Sequence, residues 1–271
     1  MQAWNIDLRD LVVGYDRHIV LRDVNALIPA GKITVILGGS GCGKSTLLRH
    51  IAGLQRPISG EILINGRNLN SLSKGDFRRL RRRMGVLFQD GALLGSLTLA
   101  ENAGLPLSQH LWLKKELLRE AELRVLKMVD LADFADFYPN ELSGGMRKRA
   151  GLARAIIADP AILLCDEPTS GLDPITAARM DELLLSMHDQ YKEMTIVVVS
   201  HDLASLKRVA QNVLVLGDGR ALFSGSLEEL LASDDPYLQD FLNRRPEEGS
   251  LFQDEPPNPE VARAVQKWLD S

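Results

Sequence analysis

Three runs of consecutive apolar residues, each of strand length, lie along the chain at 34–37, 161–165 and 196–199. Continuous apolarity is typical of strands that are covered on both faces, so these runs indicate a parallel sheet. A stretch with helical periodicity at 177–188 lies between the second and third runs and supplies a crossover connection. The pattern therefore predicts an α/β fold with a mainly parallel sheet.

Two other regions follow different patterns. The first thirty residues and residues 60–66 alternate more between apolar and polar positions and carry turn residues. That pattern predicts a small antiparallel sheet beside the main one. Residues 92–157 are helical in pattern, most clearly at 114–129, and we expect them to form an inserted helical lobe.

The end of the chain differs again. An acidic, proline-bearing stretch at 245–259 is followed by a short helical pattern at 261–269. One side of that pattern carries Val261, Val265 and Trp268. We expect a main domain over residues 1–245 and a C-terminal extension, made of a linker and a short helix, over residues 246–271.

Composition narrows the class of protein. The chain has 271 residues, a formal net charge of −4 and 45% hydrophobic residues. These values exclude a disordered chain, a collagen-like chain and a disulfide-dense scaffold. The negative charge argues against nucleic acid as a partner, because phosphate neutralisation needs a basic face. The two cysteines, Cys42 and Cys165, are too few for a secreted framework and fit a reducing compartment.

The N-terminus has neither the basic nor the apolar segment of a signal peptide. The longest apolar run, at 195–199, is far shorter than a membrane-spanning helix requires. We therefore expect a cytoplasmic protein with no membrane span, which contacts a membrane only through a partner.

A glycine-rich turn follows the first apolar run and precedes a helical pattern that begins at Leu47. Its spacing, Gly38-x-x-x-x-Gly43-Lys44-Ser45, is the P-loop pattern in its strand–turn–helix setting. Glycines let backbone N–H groups turn inward around a phosphate. Lys44 offers a charge to the β- and γ-phosphates, and the Ser45 hydroxyl can bind Mg²⁺. A glycine-rich turn with an incidental lysine is the weaker interpretation, so the motif predicts binding of a nucleoside triphosphate.

Polar residues with catalytic potential follow the other strand-like runs. Asp166 and Glu167 come directly after the second run, where Asp166 suits an outer contact to Mg²⁺ and Glu167 suits polarisation of an attacking water. A helix N-cap or turn acid is the alternative, and the neighbouring P-loop favours the catalytic role. His201 follows the third run at the same sheet edge, where it can reach a γ-phosphate or the water. Gln89, after the strand-like residues 84–88, has an amide that could touch Mg²⁺ or water; otherwise it lies in a surface turn.

A second glycine-containing turn precedes the helical residues 147–157. Ser143, Gly144 and Gly145 form an anion-binding arrangement at a helix start. They either cap a nucleotide held by a second copy of the chain, which would create two composite sites, or form an ordinary helix N-cap. Cys42 lies inside the first turn, where a helix N-terminus and a lysine favour its thiolate. We assign that thiol no role.

Taken together, these residues resemble the nucleotide-binding domain of an ABC transporter, over roughly residues 5–240. The resemblance implies a P-loop NTPase fold with a RecA-like core, a small antiparallel β-subdomain and an inserted helical subdomain. It implies that Glu167 is the catalytic base, with Gln89 and His201 as further catalytic residues, and that Asp173 forms the D-loop. The metal ligands would be Ser45 and Gln89, with Asp166 in an outer position. The implied nucleotide-binding residues are Tyr15, which stacks on adenine, and Gly38, Gly39, Ser40, Gly41, Cys42, Gly43, Lys44, Ser45 and Thr46.

The same resemblance implies a homodimer that uses ATP and Mg²⁺, in which Ser143, Gly144 and Gly145 close over the ATP bound by the other protomer. Three features are similar to the MlaF/Mkl branch of the family. They are Met146, which stands in place of the commoner glutamine, and the segments 88–94 and 173–176. That branch implies integral-membrane permease subunits of the MlaE type, an MCE-domain protein and a phospholipid or other hydrophobic substrate. It also implies a peripheral location on the cytoplasmic face of the inner membrane.

Two alternatives for the function stay open: an ABC ATPase of an unrelated importer or exporter, and a mechanotransmitting ABC ATPase that moves no substrate. The C-terminal extension is expected to reach the partner protomer, as tails of this branch do. The basic run at 78–83 is either a solvated helix face or a surface for lipid headgroups or a permease. The natural permease contact is the lobe after Gln89, whose apolar residues Ala92, Leu93, Leu94, Leu97 and Leu99 otherwise form the lobe's own core.

Overall fold

The computed structural model describes residues 3–15, 18–243 and 259–269. The strands within these residues are, in chain order, β1 (Ile6–Tyr15), β2 (His18–Ile28), β3 (Ile33–Gly38), β4 (Ser59–Ile64), β5 (Arg67–Asn68), β6 (Met84–Leu87), β7 (Ile162–Asp166), β8 (Thr195–Ser200), β9 (Asn212–Gly217) and β10 (Arg220–Ser226). The helices are α1 (Lys44–Ile51), α2 (Lys74–Arg81), α3 (Leu99–Ser108), α4 (Lys115–Met128), α5 (Gly144–Ile156), α6 (Pro174–Gln190), α7 (Leu203–Val209), α8 (Leu227–Leu231), α9 (Pro236–Leu242) and α10 (Pro259–Leu269).

The strands form two sheets. The larger sheet has the order β10-β9-β3-β8-β7-β6, and all its pairs are parallel except β9 with β10. Strands β3, β7, β8 and β9 are buried along their whole length, which explains their continuous apolar sequences. The smaller sheet, β2-β1-β4-β5, is antiparallel. The predicted α/β fold, with a mainly parallel sheet and a small antiparallel one, is confirmed.

Helices α3, α4 and α5 follow β6 and occupy most of the region predicted as the helical lobe. Helix α3 begins with a capping box in which the side chains and main chains of Thr98 and Glu101 bond reciprocally. Leu99 is fully buried, so of the two alternatives for this residue the structure favours the lobe's own core over an exposed contact surface. Ala92 and Leu94 are exposed, and Leu93 and Leu97 are half-buried.

One buried apolar cluster joins the two sheets and helix α1. Leu47, Leu48 and Ile51 of α1 pack there with residues of both sheets, among them Ile36 of β3 and Leu8 of β1. Because the helix that starts at the P-loop is packed into this core, its N-terminus is held at a fixed place beside the end of β3. Helix α1 begins at Lys44, three residues earlier than the helical pattern predicted.

The chain divides into two compact units, residues 1–231 and 232–271. The second unit contains α9, capped by Asp235, and α10, on which Val261 and Trp268 are exposed. The linker predicted from residue 245 lies outside the described residues up to Pro259, where α10 begins. The boundary at 245/246 stays a prediction. No helix among the described residues combines the length and apolarity that crossing a bilayer requires.

Candidate functional site

The order of the larger sheet brings the predicted site residues to one edge. Strands β3, β8, β7 and β6 are parallel neighbours, and their carboxyl ends lead into the P-loop, His201, the acidic pair and Gln89, respectively. The carboxyl ends of adjacent parallel strands meet at the same edge, where ligands bind in open α/β sheets. Four segments that are far apart in sequence therefore become neighbours.

The P-loop connects β3 to α1 through backbone conformations that glycine favours. Gly43 caps α1 with φ of 101°, and a Cβ there would lie 2.8 Å from Val20 Cγ1. Gly38 has φ of 156°, and its Cβ would lie 2.4 Å from the carbonyl oxygen of Leu216. Side chains at these two positions would force the loop apart, which explains the glycines in physical terms.

Lys44 lies across this loop. Its ammonium is almost fully buried and donates hydrogen bonds to the carbonyl oxygens of Gly38 at 2.9 Å and Gly39 at 2.8 Å. A buried ammonium held by neutral carbonyl groups carries an uncompensated positive charge. Together with the N-terminus of α1, that charge suits the phosphates of a nucleotide.

The donor set expected for Mg²⁺ lies beside Lys44. The hydroxyl of Ser45 donates a 2.6 Å hydrogen bond to Oδ1 of Asp166, which is only 4% exposed. A hydroxyl and a carboxylate oxygen in contact are hard oxygen ligands of the kind Mg²⁺ takes together with phosphate oxygens. The residues present therefore fit the metal: Ser45 would be a direct ligand, and Asp166 is hydrogen-bonded to Ser45.

Glu167 and His201 are paired. Nδ1 of His201 lies 2.7 Å from Oε2 of Glu167, and the carboxylate is mostly buried while the imidazole is exposed. Glu167 adopts a left-handed conformation, with φ of 51°, and its N–H donates to the carbonyl oxygen of Val199 in β8. This turn directly after β7 brings the Glu167 side chain to the residue that follows β8.

Tyr15 also reaches the P-loop helix. Its hydroxyl lies 3.1 Å from Oγ1 of Thr46 and accepts a 3.2 Å hydrogen bond from Arg49. The ring is 38% exposed. The structure thus holds the aromatic ring predicted for adenine stacking beside α1, with one part of it open to solvent.

The remaining predicted residues lie in an exposed turn or at the starts of helices. Gln89 is exposed, two residues beyond β6. Ser143 caps α5 through a hydrogen bond from the N–H of Met146, and Gly144 is exposed at the same helix start. Asp173 caps α6, and hydrogen bonds from Thr176 lower the pKa of its carboxyl. The predicted contact of Ser143, Gly144 and Gly145 with a second protomer stays a prediction, as do the predicted roles of Gln89 and Asp173.

The expected thiolate character of Cys42 is wrong in direction. Burial raises the pKa of its thiol, although the nearby charge of Lys44 opposes the change. The side chain is half-buried under the loop, and its sulfur fills the space that a Cβ on Gly38 would need. Desolvation therefore outweighs the lysine and the helix end, and Cys42 serves as a packing residue.

Sequence reasoning missed Lys148 on α5. This ammonium is 6% exposed and donates hydrogen bonds to the main-chain carbonyl oxygens of Glu167, at 3.0 Å, and Ser170. Burial lowers the pKa of Lys148, whereas the charges of Asp90 and Glu167 oppose that shift. Lys148 therefore links α5, the helix that Ser143 caps, to the backbone of the predicted catalytic base by a hydrogen bond.

A second basic residue of α5 binds the segment after Gln89. The guanidinium of Arg154 donates 2.7 Å hydrogen bonds to the carbonyl oxygens of Gly91 and Ala92. Main-chain acceptors leave no signature in a sequence. The only available signal for Lys148 and Arg154 was the presence of basic residues on a helix face that also carries buried small and apolar side chains.

Comparison with known proteins agrees with the site geometry. The family model described as ABC transporter matches residues 21–170. The probable ribonucleotide transport ATP-binding protein mkl of Mycobacterium leprae is 41% identical over 240 residues, which cover 89% of this chain and 69% of that protein. The intermembrane phospholipid transport system ATP-binding protein MlaF of Escherichia coli is 38% identical over 238 residues, or 88% of each chain.

A solved structure extends the agreement to the fold. A dimeric ATP-binding cassette in a post-hydrolysis state, bound to ADP and Pi, superposes with a TM-score of 0.75 at 33% identity, over 82% of this chain and 98% of the other. ATPase subunits of this kind are peripheral to a membrane and work as dimers with membrane permeases. The chain therefore belongs to the ABC transporter family, as a subunit that binds ATP with Mg²⁺ and hydrolyses it.

Proposed function

We propose that this subunit powers the movement of phospholipid or another hydrophobic molecule across the bacterial envelope. Two copies would act on the cytoplasmic face of the inner membrane, with permease subunits of the MlaE type and an MCE-domain protein. The observation that carries the proposal is the pairing of Glu167 with His201 and of Ser45 with Asp166, in a chain that aligns with a phospholipid transport ATP-binding protein over 88% of both lengths.

Binding of ATP is assigned to residues 38–46 and Tyr15. The backbone of the glycine turn and the N-terminus of α1 would receive the phosphates, and the ring of Tyr15 would receive the base. The buried ammonium of Lys44 would exchange its carbonyl acceptors for phosphate oxygens. Ser45, backed by Asp166 and joined by Gln89, would hold Mg²⁺, which neutralises charge on the phosphate oxygens when bound.

Hydrolysis is assigned to Glu167, with His201 and Gln89 as further catalytic residues. The Glu167 carboxylate would accept a proton from the attacking water, while the P–O bond to the leaving ADP breaks. The 2.7 Å contact with His201 helps to orient the carboxylate, which supports this role. Positioning of the base contributes much of the catalysis, because the protein takes little covalent part in phosphoryl transfer.

A complete site is proposed to need two protomers. Ser143 and Gly144 are exposed at the start of α5, and Gly145 is buried directly after them. The N–H groups of this helix start would meet the γ-phosphate of ATP bound by a second copy. Because α5 is fastened through Lys148 to Glu167, closure over the nucleotide and orientation of the base would occur together.

The permease is proposed to dock in a groove between α2 and the helical lobe. The groove encloses about 550 Å³ and has an apolar floor that includes Met84, Val86 and Leu107. Arg154, which binds the segment after Gln89, lines the same groove. A permease helix bound there would therefore contact the connection between α5 and the segment that follows Gln89.

A second candidate substrate is a ribonucleotide, because the mycobacterial relative at 41% identity carries that activity in its name.

The two candidate substrates can be distinguished after purification of the chain together with its untagged membrane partner. Mass spectrometry of the partner and its bound lipids is expected to identify a permease with an MCE-domain protein. Reconstituted vesicles should transfer labelled phospholipid when ATP is supplied, and the Glu167→Gln complex should not. Stimulation of ATPase activity by ribonucleotide but not by phospholipid would overturn the proposal.

A further inference from the structure

The turn between α3 and α4 exposes an unusual amount of apolar surface. Trp112 is 105% exposed, and Leu111, Leu113 and Leu117 are each at least 40% exposed. We call residues 111–117 the Trp112 surface. Apolar side chains that are contiguous and open to water mark a contact site rather than ordinary surface.

The turn that carries these side chains is held at both ends. The N–H groups of His110 and Leu111 donate to the carbonyl oxygen of Leu107, and the N–H of Leu118 donates to that of Lys114. The hydrogen bonds leave Trp112 and Leu113 projecting from a short connection between two helices. The exposure of Trp112 is thus a property of a defined turn.

Basic residues surround the apolar ones. Lys114 and Lys115 lie within the Trp112 surface and are exposed. The groove beside it is lined by His110 and Leu111 on one side and by Arg78, Arg81 and Arg82 of α2 on the other. Glu116 is exposed within the same surface, so the Trp112 surface and the facing side of the groove together carry five basic groups against this one acidic group. The chain as a whole carries a net charge of −4, so this excess of positive charge is a local feature.

An amphipathic aromatic ring with neighbouring lysines and arginines is the combination that binds the interface of an anionic bilayer. The ring enters the headgroup region, and the basic groups are attracted by the negative surface potential. A docked protein would bury the apolar part but would require acidic residues of its own opposite Lys114 and Lys115. A bilayer with anionic lipid supplies both features over an extended surface.

We propose that the Trp112 surface contacts anionic lipid headgroups at the membrane, an inference that rests on the proposed function because a docked permease brings this subunit to the bilayer. Trp112 and its leucines would enter the interface, with Lys114 and Lys115 held against lipid phosphates. Arg81 and Arg82 extend the basic area across the mouth of the groove.

The test uses the full chain and the fluorescence of its tryptophans. Since the chain has three tryptophans, replacing Trp4 and Trp268 by phenylalanine leaves Trp112 as the reporter. Vesicles that contain phosphatidylglycerol should shift its emission to shorter wavelength, and vesicles of phosphatidylcholine alone should shift it much less. Lys114→Gln with Lys115→Gln should weaken binding to the anionic vesicles by roughly tenfold or more. Lys127→Gln with Lys207→Gln, which removes the same charge from other exposed positions, should change it little.

Three outcomes would overturn the inference: no emission shift with anionic vesicles, equal shifts with both lipids, and a shift that appears only when the permease is present whatever the lipid. The last would assign the surface to a protein contact. ATPase activity of the complex that carries Trp4→Phe and Trp268→Phe and keeps Trp112, measured in detergent, separates this inference from the proposed function. Normal activity with no emission shift would reject the lipid contact alone, whereas failure of the wild-type complex to move phospholipid would reject the proposed function.

Discussion

The ammonium of Lys148 lies 3.0 Å from the main-chain carbonyl oxygen of Glu167, so the helix that begins at Ser143 is bonded to the backbone of the predicted catalytic base. The same ammonium donates to the carbonyl oxygen of Ser170, three residues before Asp173. Lys148 therefore contacts neither the P-loop nor the Glu167 carboxylate in these bonds. It positions the peptide from which that carboxylate extends.

Lys148→Met should lower kcat for ATP hydrolysis by about 10- to 100-fold, because a small displacement of a positioned base has an effect of this size. The affinity for ATP should change less than about threefold, since residues 38–46 are untouched. Stopped-flow hydrolysis and binding of a fluorescent ATP analogue measure the two quantities. Lys127→Met, at an exposed position of α4, is the control. Parallel losses of kcat and affinity would indicate general misfolding and contradict a positioning role.

Glu167→Gln should leave ATP binding intact and lower the hydrolysis rate by roughly 100- to 10,000-fold, the range for removal of a general base. Glutamine keeps the shape and a hydrogen bond to His201 but cannot accept the proton of the attacking water. Phosphate release measures the rate, and equilibrium dialysis with ATP measures binding. Near-normal turnover in this variant would remove Glu167 from the role of base.

Lys44→Ala should weaken ATP binding by about 10- to 100-fold, since a charged hydrogen bond contributes about 1.5–3 kcal/mol. The thermal stability without nucleotide should change little, because Lys44 donates only to carbonyl oxygens of its own loop. Lys32→Ala, at the exposed turn before β3, is a control that keeps the loop unchanged. Wild-type affinity in the Lys44 variant would contradict the phosphate contact.

Local sequence patterns predicted the P-loop, the acidic pair and both sheets because each depends on residues that are adjacent along the chain. The pairing of Glu167 with His201 needed one more fact, namely that β7 and β8 are neighbours and that Glu167 turns with φ of 51°. Lys148 could not be predicted, since its acceptors are main-chain oxygens that any residue provides. The pKa of Cys42 was judged from neighbouring charge alone, and burial reversed its direction.

Glu122→Gln should stabilise the subunit at neutral pH. Glu122 is 6% exposed in the helical lobe, and desolvation raises the pKa of its carboxyl although Arg119 opposes the shift. The folded state therefore holds the proton to higher pH than the unfolded state does, and stability falls as pH rises through the raised pKa. In thermal unfolding, the melting temperature of the variant relative to that of the wild type should rise between acidic and neutral pH. Glu120→Gln, exposed on the same helix, should show no such trend; a gain that is independent of pH would contradict the assignment to Glu122.

Ser143→Arg should prevent ATP-dependent dimerisation while each chain still binds ATP. Ser143 is exposed at the start of α5, so a large charged side chain there is tolerated by the monomer apart from the loss of a helix cap, which costs about 1 kcal/mol. It would occupy the place where the γ-phosphate of the second copy must approach. In the Glu167→Gln background, light scattering should give a dimer with ATP, and addition of Ser143→Arg should give a monomer. Ser71→Arg, an exposed serine remote in sequence, should leave the dimer intact. A stable ATP-bound dimer carrying Ser143→Arg would show that α5 of one protomer does not close over the nucleotide bound by the other. The hydrolytic site would then have to be complete within one chain.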